Sequence, residues 1–472
     1  MGKSESFALG TELDISTDLI RRFDNLGPRY TSYPTVDRFY NEFGQATYIQ
    51  YLEDRQTNQT KPPLSLYIHI PFCASICYYC ACNKVITKDH GRSKKYLTYL
   101  EKELTLIRQH LPERETLSQL HLGGGSPTFL SDDELCQLMS MLRRHFDFSL
   151  DAEISIEIDP RTVNRETLHI LRELGFNRIS LGVQDFDADV QKAIHRIQNF
   201  SLIQSTVSDS REAGFQSINF DLIYGLPKQT MASFSQTLDS VITLAPERIA
   251  LYNYAHLPTR FKPQRRIAEE DLPSAETRLQ IFLMSLTRLL AAGYVYIGLD
   301  HFAKPTDSLA KACADKTLHR NFQGYTTRSE CDLIALGVSA IGKIGHAYTQ
   351  NLRNLDEYYA AIDAHQLPVE KGMEMNRDDV LRQEVIMNVM CGNPIDFARF
   401  EAEHAVTFHD YFAEELRTIK QGSFDYVGEG LIEPLENSLQ VTAKGRFFVR
   451  ALGMVFDAYL PKKTLALYSR LI

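Results

Sequence analysis

Short apolar runs punctuate the chain between residues 64 and 253, and stretches of helical period separate them. The runs at 64–70, 117–122, 153–158, 178–183, 216–222 and 248–253 predict strands, and the amphipathic segments between them predict crossover helices. Alternation of this kind predicts a parallel sheet with helices on its faces. Two more apolar segments, 295–299 and 333–341, are expected to extend the sheet. Ser131 and Glu134 have the spacing of a capping box, which opens a helix that runs to about His145. From about residue 373 helical period dominates through about Ile419, and GLIEPLENSLQVTAKGRFFVRALG then reads as helix end, hairpin and helix, the order of a winged-helix module. Residues 1–46 show little periodicity, and PRYTSYPT is held extended between Pro28 and Pro34. The expected organisation is an N-terminal arm over 1–46, an α/β domain over 47–372 and a mainly helical domain over 373–472.

Charge narrows the function classes. A formal charge of −9 speaks against general nucleic-acid binding, and Asp425, Glu429, Glu433 and Glu436 precede the few cations Lys444, Arg446 and Arg450 in the winged-helix stretch. That domain is expected to cover substrate or to pack. A run of about 18 uncharged apolar residues is absent, so no membrane span is expected. The polar start MGKSESFALG has no secretory character, which gives a cytoplasmic expectation; its Met1-Gly2 and Ser6 fit a short myristoylation pattern but read as a flexible start.

Chemistry concentrates at Tyr67 to Asn83, where Cys73, Cys77, Cys80 and Cys82 crowd a loop directly after the first strand. In a reduced compartment such thiols are read as metal ligands. Structural zinc usually takes cysteine pairs split by a longer loop. Three thiolates in one tight turn suit a cubane cluster, because each binds a different iron and the fourth iron stays open. An iron–sulfur cluster is the favoured reading, with zinc and free thiols as alternatives. Cys80 and Cys82 point to one side of an extended segment, so spacing alone permits four ligands, yet a fourth would close the open iron. The other cysteines, Cys136, Cys313, Cys331 and Cys391, are scattered and read as packing thiols.

Gly123, Gly124 and Gly125 end a strand and lead into Ser126, which lets backbone approach a ligand, and no Gly-Lys-Ser/Thr follows to make a phosphate loop. Polar residues recur at later strand ends, namely Glu157, Gln184 and Asp221. Alternation turns Asp221 away from Phe220 and Leu222.

The spacing Cys-x3-Cys-x2-Cys resembles the signature of radical S-adenosylmethionine (SAM) enzymes. YIHIPFC and CYYCAC, with GPRYTSYPT, GGGSPT, SIEIDP, GVQDF, DLIYGLPKQT, NYAHLP, HRNFQGYTT and GVSAIG, resemble the oxygen-independent coproporphyrinogen III oxidases over nearly the whole chain. The resemblance implies a partial, open (β/α)6 barrel and a 4Fe-4S cluster on Cys73, Cys77 and Cys80, with Cys82 near the reacting groups. It places Tyr67, Gly124, Glu157 and Ile341 at a cluster-bound SAM, and Tyr79, Gly125, Ser126, Gln184, Arg196, Asp221 and Ala255 at a second SAM. Ser126 stands where the family more often has Thr, and the position of Tyr79 also takes Phe. The implied reaction is decarboxylation of two propionates of coproporphyrinogen III to vinyl groups, giving protoporphyrinogen IX in haem biosynthesis, through a 5′-deoxyadenosyl radical. A small donor such as flavodoxin or ferredoxin would supply electrons, and a monomer is expected.

Four substrate carboxylates call for local positive charge; Arg29 and Arg320 are the first candidates, ahead of the Arg260, Lys262, Arg265 and Arg266 run. A haem-binding chaperone relative is the runner-up, and it is expected to lack Cys82, PRYTSYP and RNFQGYTT. A winged-helix regulator with a redox-sensing cluster is a third reading.

Overall fold

The computed structural model describes residues 17–23, 27–328 and 331–460, so the MGKSESFALG start lies outside the described residues. Two compact units emerge: Pro34–Val380, and Met1–Tyr33 together with Leu381–Ile472.

The larger unit is built on one twelve-stranded sheet. Its strands are β1 (Leu64–Ile70), β2 (Glu115–Gly124), β3 (Phe146–Ile158), β4 (Arg178–Gln184), β5 (Ser217–Tyr224), β6 (Arg248–Asn253), β7 (Val295–Gly298), β8 (His301–Ala303), β9 (Asp332–Leu336), β10 (Ile341–Ile344), β11 (Ala347–Asn351) and β12 (Val369–Glu374). The order is β12-β11-β10-β9-β1-β2-β3-β4-β5-β6-β8-β7. From β9 to β6 neighbours are parallel, and both flanks continue antiparallel. All six expected strands form, and β9 adds a seventh parallel strand beside β1, with Leu64 opposite Asp332. The expected run 333–341 breaks at Gly337, whose φ of +96° turns the chain away from the sheet. Among the described residues no ladder joins β12 to β7, which leaves an open, partial barrel.

Helices α1 (His90–His110), α2 (Asp132–His145), α3 (Arg165–Glu173), α4 (Phe200–Ala213) and α5 (Met231–Leu244) form the crossovers. The Ser131 capping box is complete, and Leu135, Leu138, Met139 and Leu142 bury the core-facing stripe of α2. Strand β1 is buried along its length except at Tyr67, as a central parallel strand covered on both faces should be. Opposite the functional end, buried Arg55 pairs with Glu115 at 3.0 Å and with Asp332, tying the starts of β2 and β9, the two neighbours of β1, to each other.

The smaller unit carries the helices Phe397–His404, Phe408–Tyr411 and Ala413–Gln421, then the hairpin of Ile432–Pro434 and Ser438–Val441, to which Ile395–Asp396 adds a third strand. Helix Val449–Val455 follows, so the winged-helix-like order is present. Phe397, Phe400, Phe408 and Phe412 stack as its core. The first half of GPRYTSYPT belongs here: Arg450 Nε donates to Pro28 O at 2.9 Å, Tyr30 Oη to Asp457 at 2.9 Å, and Gln383 Nε2 to Tyr33 O at 2.7 Å. No described helix is long and apolar enough to cross a membrane.

Candidate active site at the carboxyl ends of the parallel strands

Beyond β1 the chain runs through Pro71 into a two-residue strand, Phe72–Cys73, which pairs with Val85–Ile86 in parallel register. The loop between them turns where Cys80 N donates to Cys77 O at 3.3 Å. Cys77 is buried, Cys73 and Cys80 are half-buried and Cys82 is exposed. Segment 194–198 grips this loop. Tyr78 N donates to Ile194 O at 2.9 Å, His195 Nδ1 to Ile76 O at 2.7 Å, and the rings of Tyr78 and His195 stack 5.0 Å apart.

Arg196 is the hub of the contact. Its Nη1 lies 3.6 Å from Cys77 Sγ and 3.2 Å from Asp159 Oδ2, and Nη2 donates to Gly182 O at 2.8 Å. Arg161 adds a 2.6 Å pair to Asp159 and a 4.0 Å approach to Cys77 Sγ. Burial works to raise the Asp159 carboxyl, but the Arg161 hydrogen bonds and both guanidinium charges outweigh it and hold the group below its usual range. A hydrogen bond from the Cys82 thiol brings Cys80 down to about 6 against the opposing effect of burial, with Lys84 assisting, and the same bond pushes Cys82 well up. Burial raises Cys73 to about 12. Three thiols in one turn, with Arg161, Arg196 and Lys84 supplying positive charge, fit an anionic thiolate cluster.

The glycine run forms the floor. Gly125 N donates to Ile70 O at 2.8 Å and Ser126 N to Phe72 O at 2.9 Å, so two strand ends are stitched directly under the thiol loop. A Cβ on Gly125 would stand 2.8 Å from the Pro71 carbonyl, which no side chain tolerates. Gly124, at φ +117°, is held against the His69 ring.

Inward-facing side chains of successive strands line the space beyond. Tyr67 Oη lies 3.1 Å from His69 Nδ1, and His69 Nε2 lies 3.0 Å from Asn83 O. A carbonyl only accepts, so Nε2 carries the proton and Nδ1 accepts from Tyr67. Burial lowers the His69 pKa and keeps that ring neutral. Tyr67 also stacks on His121 at 5.9 Å. Glu157 Oε2 accepts from Gly124 N at 3.1 Å, and its Oε1 faces His121 Nε2 at 3.5 Å. Asp221 accepts from Ser180 Oγ at 2.8 Å and Asn219 Nδ2 at 2.9 Å; burial first, then the charge of Glu157, raises it to about 7. Gln184 sits at a break in the β4–β5 register with φ +61°, and its buried Oε1 has no hydrogen-bond partner, nor does Asn253 Oδ1. Two orphaned acceptors and two mutually repelling carboxylates are what a site for a polar, cationic ligand needs.

The structure therefore links Tyr67, Gly124 and Glu157 with one another, and Arg196 with the Cys77 thiol. Tyr79 and Ala255 are tied to each other through a residue that sequence reasoning passed over: Gln264 Nε2 donates to Tyr79 O at 2.9 Å and to Ala255 O at 3.2 Å. Ile341 opens β10 just past the Gly337 turn. That turn is fixed from behind, since Tyr96 Oη donates to His69 O at 2.7 Å and accepts from Val338 N at 3.0 Å, while buried Glu103 accepts from Gly337 N at 2.8 Å. Arg320 lies on a separate hairpin, His319–Asn321 with Gly324–Thr326, its guanidinium 4.8 Å above Tyr325. Of the 260–266 cations, Arg266 is the one tied to the thiol loop, 5.2 Å over Tyr78. Arg29 belongs to the smaller unit. His69, His121 and Asp159 were also missed, although His69 and His121 stand two residues along their strands from Tyr67 and Gly123, on the same face, and Asp159 directly follows β3, two residues past Glu157.

Residues 67–241 match the radical SAM superfamily and residues 375–448 the HemN C-terminal domain. An oxygen-independent coproporphyrinogen III oxidase of Pseudomonas aeruginosa is 49% identical over 457 residues, 96% of this chain and 98% of that one. The chain belongs to the oxygen-independent coproporphyrinogen III oxidase family. Within that family, the Escherichia coli protein is 44% identical over 98% of this chain and 99% of its own. The solved structure of coproporphyrinogen III oxidase (HemN) from Escherichia coli, described as a radical SAM enzyme, matches with a TM-score of 0.87 over 92% of this chain and 98% of that one.

Proposed function

We propose that this chain is an oxygen-independent coproporphyrinogen III oxidase, which converts two propionates of coproporphyrinogen III to vinyl groups in haem biosynthesis. The observation that carries the reading is the convergence, at the carboxyl ends of β1 to β5, of the thiol loop and a buried polar wall, in a chain 49% identical to such an oxidase over 96% of its length. A propionate β-carbon carries an unactivated C–H bond beyond the reach of any protein base. A 4Fe-4S cluster with SAM supplies the radical chemistry that this bond requires.

The chain's own residues bind, orient and shield. Cys73, Cys77 and Cys80 hold the cluster, and Arg196 and Arg161 lower the cost of its negative charge. Tyr67, Gly124, Glu157 and Ile341 receive the first SAM, with Glu157 held in place by Gly124 N. Tyr79, Gly125, Ser126, Gln184, Arg196, Asp221 and Ala255 receive a second, and Gln184 offers it an unpaired acceptor. Cys82 stands exposed beside Cys80 and acts at the reacting groups, and Arg320 offers a cation to a substrate carboxylate. The working unit is a cytoplasmic monomer served by a small one-electron carrier such as flavodoxin or ferredoxin. Substrate deuterated at the propionate β-carbons tests the reading: deuterium is expected in 5′-deoxyadenosine, and unlabelled 5′-deoxyadenosine formed beside intact substrate would contradict it.

A further inference from the structure

We propose that the segment 84–95, together with Arg353, is the docking surface for an acidic electron-carrier protein, and that the electron reaches the thiol loop across the strand pair that joins Ile86 to Cys73. The proposal rests on the radical-chemistry reading above and deepens it by naming the surface that the reductant uses.

The whole chain is acidic, yet KVITKDHGRSKK at 84–95 holds five cations against one carboxylate. Lys88, Arg92, Lys94 and Lys95 are exposed, and no ion pair engages them among the described residues. Lys61, Lys102, Lys228 and Lys304 each have a carboxylate partner, and exposed lysines such as Lys192 and Lys420 have none among the described residues, so what sets 84–95 apart is the density of its cations. The single carboxylate, Asp89, is engaged by Gly91 N at 2.9 Å, and Glu134, on the flank, by Ser131 N at 2.9 Å. Exposed Arg353 adjoins the loop, because Asn83 Nδ2 donates to its carbonyl at 3.1 Å. Lys84 Nζ is held by the carbonyls of Cys80 and Cys82, and Lys95 Nζ lies 4.5 Å over the Tyr359 ring. Lys88, Arg92 and Lys94 gain no carboxylate among the described residues, and a partner of opposite charge relieves their mutual repulsion.

The segment also holds an apolar centre. Ile86 is 41% exposed, one of few large apolar side chains so placed in this chain. It is the register partner of Cys73, and Thr87 N donates to Cys73 O at 3.0 Å. Adjacent strands lie about 4.8 Å apart, so a carrier seated on Ile86 stands one strand spacing from a cluster ligand. An apolar centre within a charged rim is the anatomy of a transient interface. The partner that fits is a small protein whose carboxylates ring an exposed redox group. One electron leaves that reduced group and one is gained by the thiolate-held cluster; no bond forms or breaks and no proton moves.

The test compares two reductants on the reconstituted enzyme: dithionite, which needs no docking surface, and a reduced acidic flavodoxin as the probe protein. In the triple variant Lys88→Glu, Arg92→Glu, Lys94→Glu, the flavodoxin concentration for half-maximal 5′-deoxyadenosine formation is expected to rise by about tenfold or more, the low end of electrostatic steering. Its salt dependence is expected to flatten, with iron content and the dithionite-driven rate as in the parent. Lys420→Glu, a reversal at an exposed lysine of the smaller unit, is expected to change neither arm. An unchanged flavodoxin requirement overturns the proposal, as does an equal loss in the dithionite arm, or a triple variant that differs from the parent in self-association. Absence of 5′-deoxyadenosine from the parent with dithionite would instead contradict the radical-chemistry reading itself.

Discussion

A hydroxyl in place of the Cys82 thiol separates ligand from reactant. Serine is a much poorer iron ligand than thiolate, so Cys73→Ser, Cys77→Ser or Cys80→Ser is expected to strip the cluster. Cys82→Ser is expected to keep iron and acid-labile sulfide near the parent value while protoporphyrinogen formation falls, and loss of iron as deep as in Cys73→Ser would make Cys82 a fourth ligand. Asp221 gives a second test at this scale. Its carboxyl titrates at about 7 in the folded chain, against about 3.9 for an unperturbed Asp. Between those pH values the folded chain keeps a proton that the unfolded chain has released, so stability falls as pH rises through the window. Asp221→Asn is expected to remove part of that slope, at most about 4 kcal/mol between pH 4 and 8, seen as a smaller shift of the urea midpoint between those two pH values. Glu103 and Asp185, raised by burial to about 7 and about 6, act in the same direction, so the reading is the difference between variant and parent. The acidic strand-end residues were legible singly in the sequence; their coupling was not, because Glu157 and Asp221 approach only once β3, β4 and β5 are side by side.

At the scale of elements, the glycine run and the thiol loop form one piece of construction. Gly125→Ala puts a methyl 2.8 Å from the Pro71 carbonyl, and overpacking of this kind costs about 1–3 kcal/mol. The variant is expected to lose thermal stability and iron together, and a change in one without the other would separate the glycine floor from the cluster. Gln264→Ala removes the amide that ties Tyr79 O to Ala255 O. It is expected to weaken SAM binding by about tenfold in equilibrium dialysis with cluster content intact, since each lost hydrogen bond is worth about 0.5–1.5 kcal/mol. Strands β1 to β6 were legible because parallel strands buried on both faces read as apolar runs. Three features were not. Strand β9 lies more than 260 residues from β1 in the chain, so its place beside β1 leaves no local signal. The turn at Gly337 depends on Tyr96 and Glu103, which helix α1 supplies. Gln264 is hidden in the run 260–266, where four basic residues draw the eye from the one uncharged polar member.

For the whole molecule, the division into Pro34–Val380 and a second unit that unites both ends of the chain gives GPRYTSYPT a structural account. Tyr30 and Tyr33 are core residues of the smaller unit, 1% and 0% exposed, and a sequence cannot show that an N-terminal tyrosine packs against Asp457. Tyr30→Phe is expected to destabilise the smaller unit by about 1 kcal/mol through the lost hydrogen bond, with SAM cleavage driven by dithionite unchanged. The central claim, that the larger unit's thiol loop and polar wall carry out a radical decarboxylation, is tested most directly by anaerobic incubation of reconstituted protein with SAM, dithionite, coproporphyrinogen III and an electron acceptor, with tetrapyrroles and nucleosides quantified together. The account predicts protoporphyrinogen IX, with two carbon dioxide and two 5′-deoxyadenosine per tetrapyrrole converted; 5′-deoxyadenosine without any loss of propionate carboxylates, or a protein that retains zinc and no iron, would contradict it.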